Sequence, residues 1–136
     1  MPRQIYINLP VADLKKAIAF YTAIGAVQNK QFSDDTAACM VISDTIHVML
    51  LVKDKVSMFT DKSLADTRTQ VQMWMTLTAD SRAEVDATVE AARNAGGKGD
   101  VNAPDEYDFM YGRSFEDVDG HIWEVFFMDM SQIPKS

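Results

Sequence analysis

The sequence predicts an α+β fold: two β-α-β-β-β modules within one domain spanning residues 1–136. Three observations carry that prediction. Several segments alternate apolar and polar residues with a period of two, and two segments carry an apolar stripe at helical spacing. The order strand, helix, three strands then occurs twice at a spacing of roughly 68 residues. Residue identity between the halves is low, so the order of elements carries the argument for duplication. Module one covers about residues 1–60 and module two about residues 70–130.

Residues Gln4 to Leu9 place Ile5, Ile7 and Leu9 on one side and Tyr6 and Asn8 on the other, the pattern of a half-buried strand. Pro10 ends it. Asp13 is placed to start a helix through Ile24, along which Leu14, Ala17, Ile18 and Tyr21 share a face. Gly25 stands where a helix C-cap favours a left-handed residue. Val27 to Phe32 and Ala37 to Ile42 form a hairpin through Ser33-Asp34-Asp35, and Ile46 to Val52 adds a further strand. Lys53 to Gln70 is a polar connection with one short helical turn near Phe59.

The order then repeats. Val71 to Thr78 is a strand with Val71, Met73, Met75 and Leu77 on one side and Gln72, Trp74 and Thr76 on the other. Asp80-Ser81 caps a helix from Arg82 to Ala95, whose apolar stripe is Val85, Val89 and Ala92. Gly96-Gly97 stops it. A strand near Gly99 to Val101, a loop with Pro104, and a hairpin on Asp117-Val118-Asp119-Gly120 complete the module.

Composition narrows the function. Hydrophobic residues make up 47% and charged residues 24%, which is globular rather than disordered. The net charge of −7 and the scattered basic residues disfavour nucleic acid as a partner. No run of about 18 apolar residues is present, so no membrane partner is expected. Cys39 is the lone cysteine, which fits a reducing, cytoplasmic setting. A packed thiol is the expected state of Cys39.

With the cleaner apolar side of four of the strands packed on a helix, their other side faces a cavity. That assignment gives the cavity Tyr6, Asn8, His47, Met49, Gln72, Trp74, Thr76, Glu124 and Phe126, a mixed aromatic and polar set of the kind that lines small-molecule sites.

The stretch Arg113-Ser-Phe-Glu-Asp-Val-Asp-Gly-His-Ile-Trp-Glu124 resembles the closing hairpin of the vicinal oxygen chelate superfamily, which comprises glyoxalases, bleomycin-resistance proteins and extradiol dioxygenases. Val118 replaces the proline of that family's Asp-Pro-Asp-Gly turn. Leu9-Pro-Val-Ala-Asp-Leu14, followed by Ala19-Phe-Tyr-Thr-Ala-Ile-Gly25, resembles the family's first strand-helix unit. The chain resembles a divergent member of that superfamily, of the lactoylglutathione lyase-like kind. The resemblance implies four metal ligands, one from each of four inner strands. Aligned with this chain they fall at Tyr6, Met49, Trp74 and Glu124, with His47 two residues from the second. Only Glu124 is an ordinary ligand for a divalent ion. No metal or other cofactor is therefore expected, the alternative being a divalent metal held by Glu124 and His47.

Glu124 is also the only candidate catalytic residue. A four-residue turn, Asp117 to Gly120, would set Arg113 opposite Glu124 and hold the carboxylate in an ion pair, and a one-residue change in loop length would reverse that facing. The alternative roles of Glu124 are a ligand contact and a metal ligand. His47 is expected to be a hydrogen-bonded structural residue. His121, an odd number of residues from Glu124, is expected to face away from it. Trp74 is a candidate for stacking on a ligand as well as for packing.

The expected function is binding of a small organic molecule by Tyr6, Asn8, His47, Met49, Trp74, Arg113 and Glu124 without the family metal. The alternatives are a metal-dependent lyase or isomerase of the glyoxalase type, and a non-catalytic interaction domain. The resemblance also implies a homodimer.

Overall fold

The computed structural model describes residues 2–132. Its contacts divide the chain into two compact units, Met1–Ala65 and Asp66–Ser136. Both have the predicted α+β architecture, a sheet with a helix on one face.

In the first unit, β1 (Ile5–Val11) runs parallel to β4 (Ile46–Val52). β3 (Ala37–Val41) and β2 (Val27–Asn29) extend the sheet by antiparallel pairing, in the order β1-β4-β3-β2. Helix α1 (Leu14–Ala23) is capped by the Asp13 carboxylate, which accepts from the Lys16 amide. It ends where Gly25 takes φ +107°. Its buried Ala17, Phe20 and Tyr21 lie with Leu9, Met40, Val48 and Leu50 in the module core. Each large apolar side chain removed from water there contributes about 1.5–3 kcal/mol.

Three boundaries differ from the sequence reading. β1 continues through Pro10 to Val11, because β1 is an edge strand and tolerates a residue without an N–H. β2 stops at Asn29, where the Asn29 side chain accepts from the Gln31 amide and starts a 3-10 turn over Lys30–Phe32. The Ser33 hydroxyl then bridges the last pair of the ladder, accepting from the Cys39 amide and donating to the Asn29 carbonyl. Finally, the short helix of the connection, α2 (Lys53–Val56), comes directly after β4 rather than near Phe59.

The second unit repeats the topology. β5 (Trp74–Thr78) runs parallel to β9 (Ile122–Met128), which pairs antiparallel with β8 (Met110–Glu116). β6 (Lys98–Gly99) and the two-residue β7 (Asp105–Glu106) both pair with β8. β5 starts at Trp74 rather than Val71 because its partner begins at Ile122, so residues 71–73 have no strand beside them. Between β5 and β6 lies α3 (Arg82–Asn94), capped by Ser81 on the Glu84 amide, with the Glu84 carboxylate reaching back to the Asp80 amide. Val85, Val89 and Ala92 are buried, as are Phe115, Trp123 and Val125 on the strands that α3 packs against. The predicted strand over Gly99 to Val101 ends early, at Gly99, because Asp100 takes φ +54° and turns the chain.

Candidate functional site

The closing hairpin sets which side chains share a face. Asp117 donates its amide to the His121 carbonyl, so the loop proper is the three residues Val118-Asp119-Gly120. The Asp117 carboxylate accepts from the Asp119 and His121 amides, and Gly120 supplies the left-handed residue at φ +89°. This odd loop pairs Glu124 with Ser114 and Arg113 with Val125. The expected Arg113–Glu124 ion pair does not form. The four-residue turn that it required is one residue too long.

Arg113 points instead to the α3 side. It donates to both oxygens of Asp100 at 2.9 and 2.7 Å, to Asp86 at 2.9 Å and to Glu90 at 3.1 Å, with its side chain 10% exposed. The guanidinium, and the Tyr111 hydroxyl above all, hold the Asp86 carboxyl below the ordinary aspartate range. The Arg113 hydrogen bonds do the same for Asp100. Arg113 is thus engaged by acids on the α3 side rather than placed beside Glu124. His121, buried at 3% exposure, lies with Trp123 and Val125 on the alternation opposite Glu124, as expected.

The other face of this sheet holds an open recess of about 230 Å³. Glu124 and Phe126 on β9, Thr76 on β5, Met110, Gly112 and Asp105 line it. Gly112 matters because the Phe126 Cβ would lie only 3.4 Å from a Cβ built there. A bare strand position keeps the floor of the recess open. The Trp74 indole lies near the Glu124 carboxyl and favours its charged form. Burial, helped by the nearby Asp105 charge, nevertheless pushes the Glu124 carboxyl above its ordinary range.

In the first unit, Tyr6 and His47 are cross-strand partners and their rings stack at 4.3 Å with planes 12° apart. His47 is buried, and among the described residues its Nδ1 has no hydrogen-bond partner. Stacking, rather than the expected hydrogen bond at that nitrogen, accompanies its burial. Asn8 is exposed beside half-buried Met49, its register partner, and donates to the Tyr6 carbonyl at 3.5 Å. Cys39, also opposite Met49, is buried with its thiol pushed up by desolvation, which suits packing.

As metal ligands three of the four aligned positions are chemically poor. Tyr6 offers a phenol, Met49 a soft thioether and Trp74 an N–H donor. Among the described residues, no group of three or more His, Cys, Asp or Glu side chains is placed to hold a metal ion. The donor set does not fit the family's metal.

Of the residues now seen around Glu124, the sequence reading missed Asp105, Met110 and Gly112. The glycine carried a signal, since an isolated glycine inside a strand pattern marks a close approach. Asp105 carried none. Its two-residue strand exists only because β8 offers a free edge.

A sequence profile described as the Glyoxalase/Bleomycin resistance protein/Dioxygenase superfamily matches residues 3–125. No curated protein matches the chain. Among solved structures, a hypothetical protein from S. aureus superposes with TM-score 0.78 at 28% identity, covering 93% of this chain and 95% of that one. A glyoxalase-related enzyme from Fulvimarina pelagi gives TM-score 0.77 at 19% identity, over 93% and 88% of the two chains. The fosfomycin resistance protein FosX from Listeria monocytogenes gives 0.69 at 19%, over 96% and 97%. The last two likenesses concern the fold.

Proposed function

The chain belongs to the glyoxalase/bleomycin resistance protein/dioxygenase superfamily, and we propose that it binds a small organic molecule on the sheet face around Glu124 without the family's metal. The observation that carries this reading is the recess of about 230 Å³ beside Glu124, where a desolvated carboxylate, a threonine and an aromatic ring converge over a glycine floor. Small-molecule sites combine an apolar lining with a few such polar groups. Trp74, 55% exposed and near Glu124, offers a stacking surface on the same strand face. Tyr6, Asn8, His47 and Met49 are the first module's candidates for ligand contact.

The metal-dependent lyase or isomerase is the second reading. The raised Glu124 carboxyl favours it, because such a group is a stronger base than an ordinary carboxylate. That chemistry also needs a cation to stabilise an enediolate. Arg113, the nearest candidate in sequence, is engaged with Asp86, Glu90 and Asp100.

We further expect a cytoplasmic homodimer. The buried free thiol of Cys39 supports the compartment, and exposed apolar side chains in each unit, Val27, Phe32 and Phe59 in the first and Met130 in the second, support self-association. No helix among the described residues is long and apolar enough to cross a membrane.

Elemental analysis of the purified chain tests the central reading. The expected result is no stoichiometric Ni, Zn, Fe or Mn. A metal present at one per chain and lost in Glu124→Ala, together with chelator-sensitive turnover of the methylglyoxal-glutathione hemithioacetal, would replace it with the lyase reading.

A further inference from the structure

We propose that the recess of the second module takes a small organic cation, an ammonium or amidinium group carried on an apolar body. This rests on the small-molecule reading of the same face and names the class of ligand.

The polar side chains lining the recess are Thr76, Asp105 and Glu124, two acids and a hydroxyl, and no lysine or arginine lines it. The arginines of the module are committed elsewhere. Arg113 and Arg93 bind acids on the α3 side, Arg82 donates to the Tyr107 carbonyl, and Arg68 donates to the Val118 carbonyl. Lys98 lines a different, smaller recess with Arg68 and Glu116. Among the described residues of this module, the two carboxylates thus share their recess with no cation.

Sheet register fixes their spacing. Asp105 pairs with Gly112, Gly112 with Phe126, and Glu124 with Ser114. The two acids stand two strands apart, about 10 Å, and are offset by two residues, about 7 Å. Gly112 lies on the floor between them, without a side chain. A charged head seated over Gly112 would face an acid on either side. Its apolar body would meet the ring of Phe126 and the thioethers of Met110 and Met128, polarizable groups that suit a cation's hydrocarbon. An anion would add a third like charge. A hard divalent metal wants six or more oxygen ligands, and this lining offers two carboxylates and one hydroxyl among apolar groups. The net charge of −7 adds a long-range attraction of the same sign.

The test is a titration of the full chain followed by amide NMR, with three matched probes: 2-phenylethylammonium, 2-phenylethanol and 3-phenylpropionate, plus Mg²⁺ alone. The expected result is that the ammonium shifts the amides of Thr76, Gly112, Glu124 and Phe126 and binds at least tenfold more tightly than the alcohol. Glu124→Gln and Asp105→Asn, each checked as folded by the same spectra, should each weaken the ammonium several-fold and narrow its advantage. Equal binding of the alcohol or the propionate at these amides overturns the cation and leaves the small-molecule reading standing. An ammonium affinity unchanged in both variants overturns it too. No shift with any organic probe overturns both readings. Mg²⁺ shifts at Glu124 that displace the ammonium overturn both in favour of a metal.

Discussion

Arg113 and Glu124 leave the same hairpin on opposite faces, because Glu124 stands across from Ser114 and Arg113 across from Val125. The cation is consumed by the helix side, and the carboxylate is left to the open side. Structure and ligand chemistry are therefore separable in this module by single substitutions.

Arg113→Leu should destabilise the chain while sparing the recess. Losing the donor leaves Asp100 and Glu90 with Arg93 alone and Asp86 with the Tyr111 hydroxyl. We expect a cost of about 1–3 kcal/mol, below the 3–5 kcal/mol of a fully buried pair because Asp86 and Glu90 are half exposed. Denaturant unfolding measures the loss, and phenylethylammonium affinity of the folded variant should change less than twofold.

Acid should act through Asp100. Its folded carboxyl titrates below the unfolded value near 3.9, so its contribution is complete above that value and fades as pH falls through the lower folded value. In Arg113→Leu this loss should shrink, which unfolding curves between pH 2 and pH 6 would reveal, a range of about four units around the ordinary aspartate value.

Glu124 has the opposite sign. Its folded carboxyl titrates above the unfolded value, so the folded state is favoured below that unfolded value and loses this advantage as pH rises through the folded one. Glu124→Gln should match or exceed the parent's stability at neutral pH and lose that margin in acid. A variant less stable at neutral pH would show that the support Trp74 gives to the charged carboxylate outweighs the desolvation.

Filling the floor of the recess should block it. Gly112→Val places methyl groups against Phe126, where even a Cβ would sit 3.4 Å from the Phe126 Cβ. We expect at least tenfold weaker binding of the ammonium probe. Folding stability should shift by only about 1 kcal/mol, since valine suits a strand.

Gly120 should be intolerant. At φ +89° a side chain is strained, and a Cβ would collide with the Thr67 carbonyl oxygen. Gly120→Ala is expected to cost about 1–3 kcal/mol in thermal or denaturant unfolding.

Local chemistry by itself determined a great deal. Period-two alternation placed the strands, the Ser81 and Asp13 caps placed the helices, and the glycines at 25 and 96 placed their ends, because each of these signals acts over a few residues. The apolar side of each strand also followed, and with it the assignment of Trp74, Thr76, Glu124 and Phe126 to one face. Only tertiary structure decided the rest. The Arg113–Glu124 relationship turned on whether the hairpin loop held three residues or four, and a side-chain period of two converts that one residue into opposite faces. Asp105 joined the recess through a pairing with β8 that its own neighbours do not announce. The stretch before Trp74 lost its strand because β9 begins only at Ile122. Each case depends on a partner far along the chain, and a ladder has no register until both strands are in place.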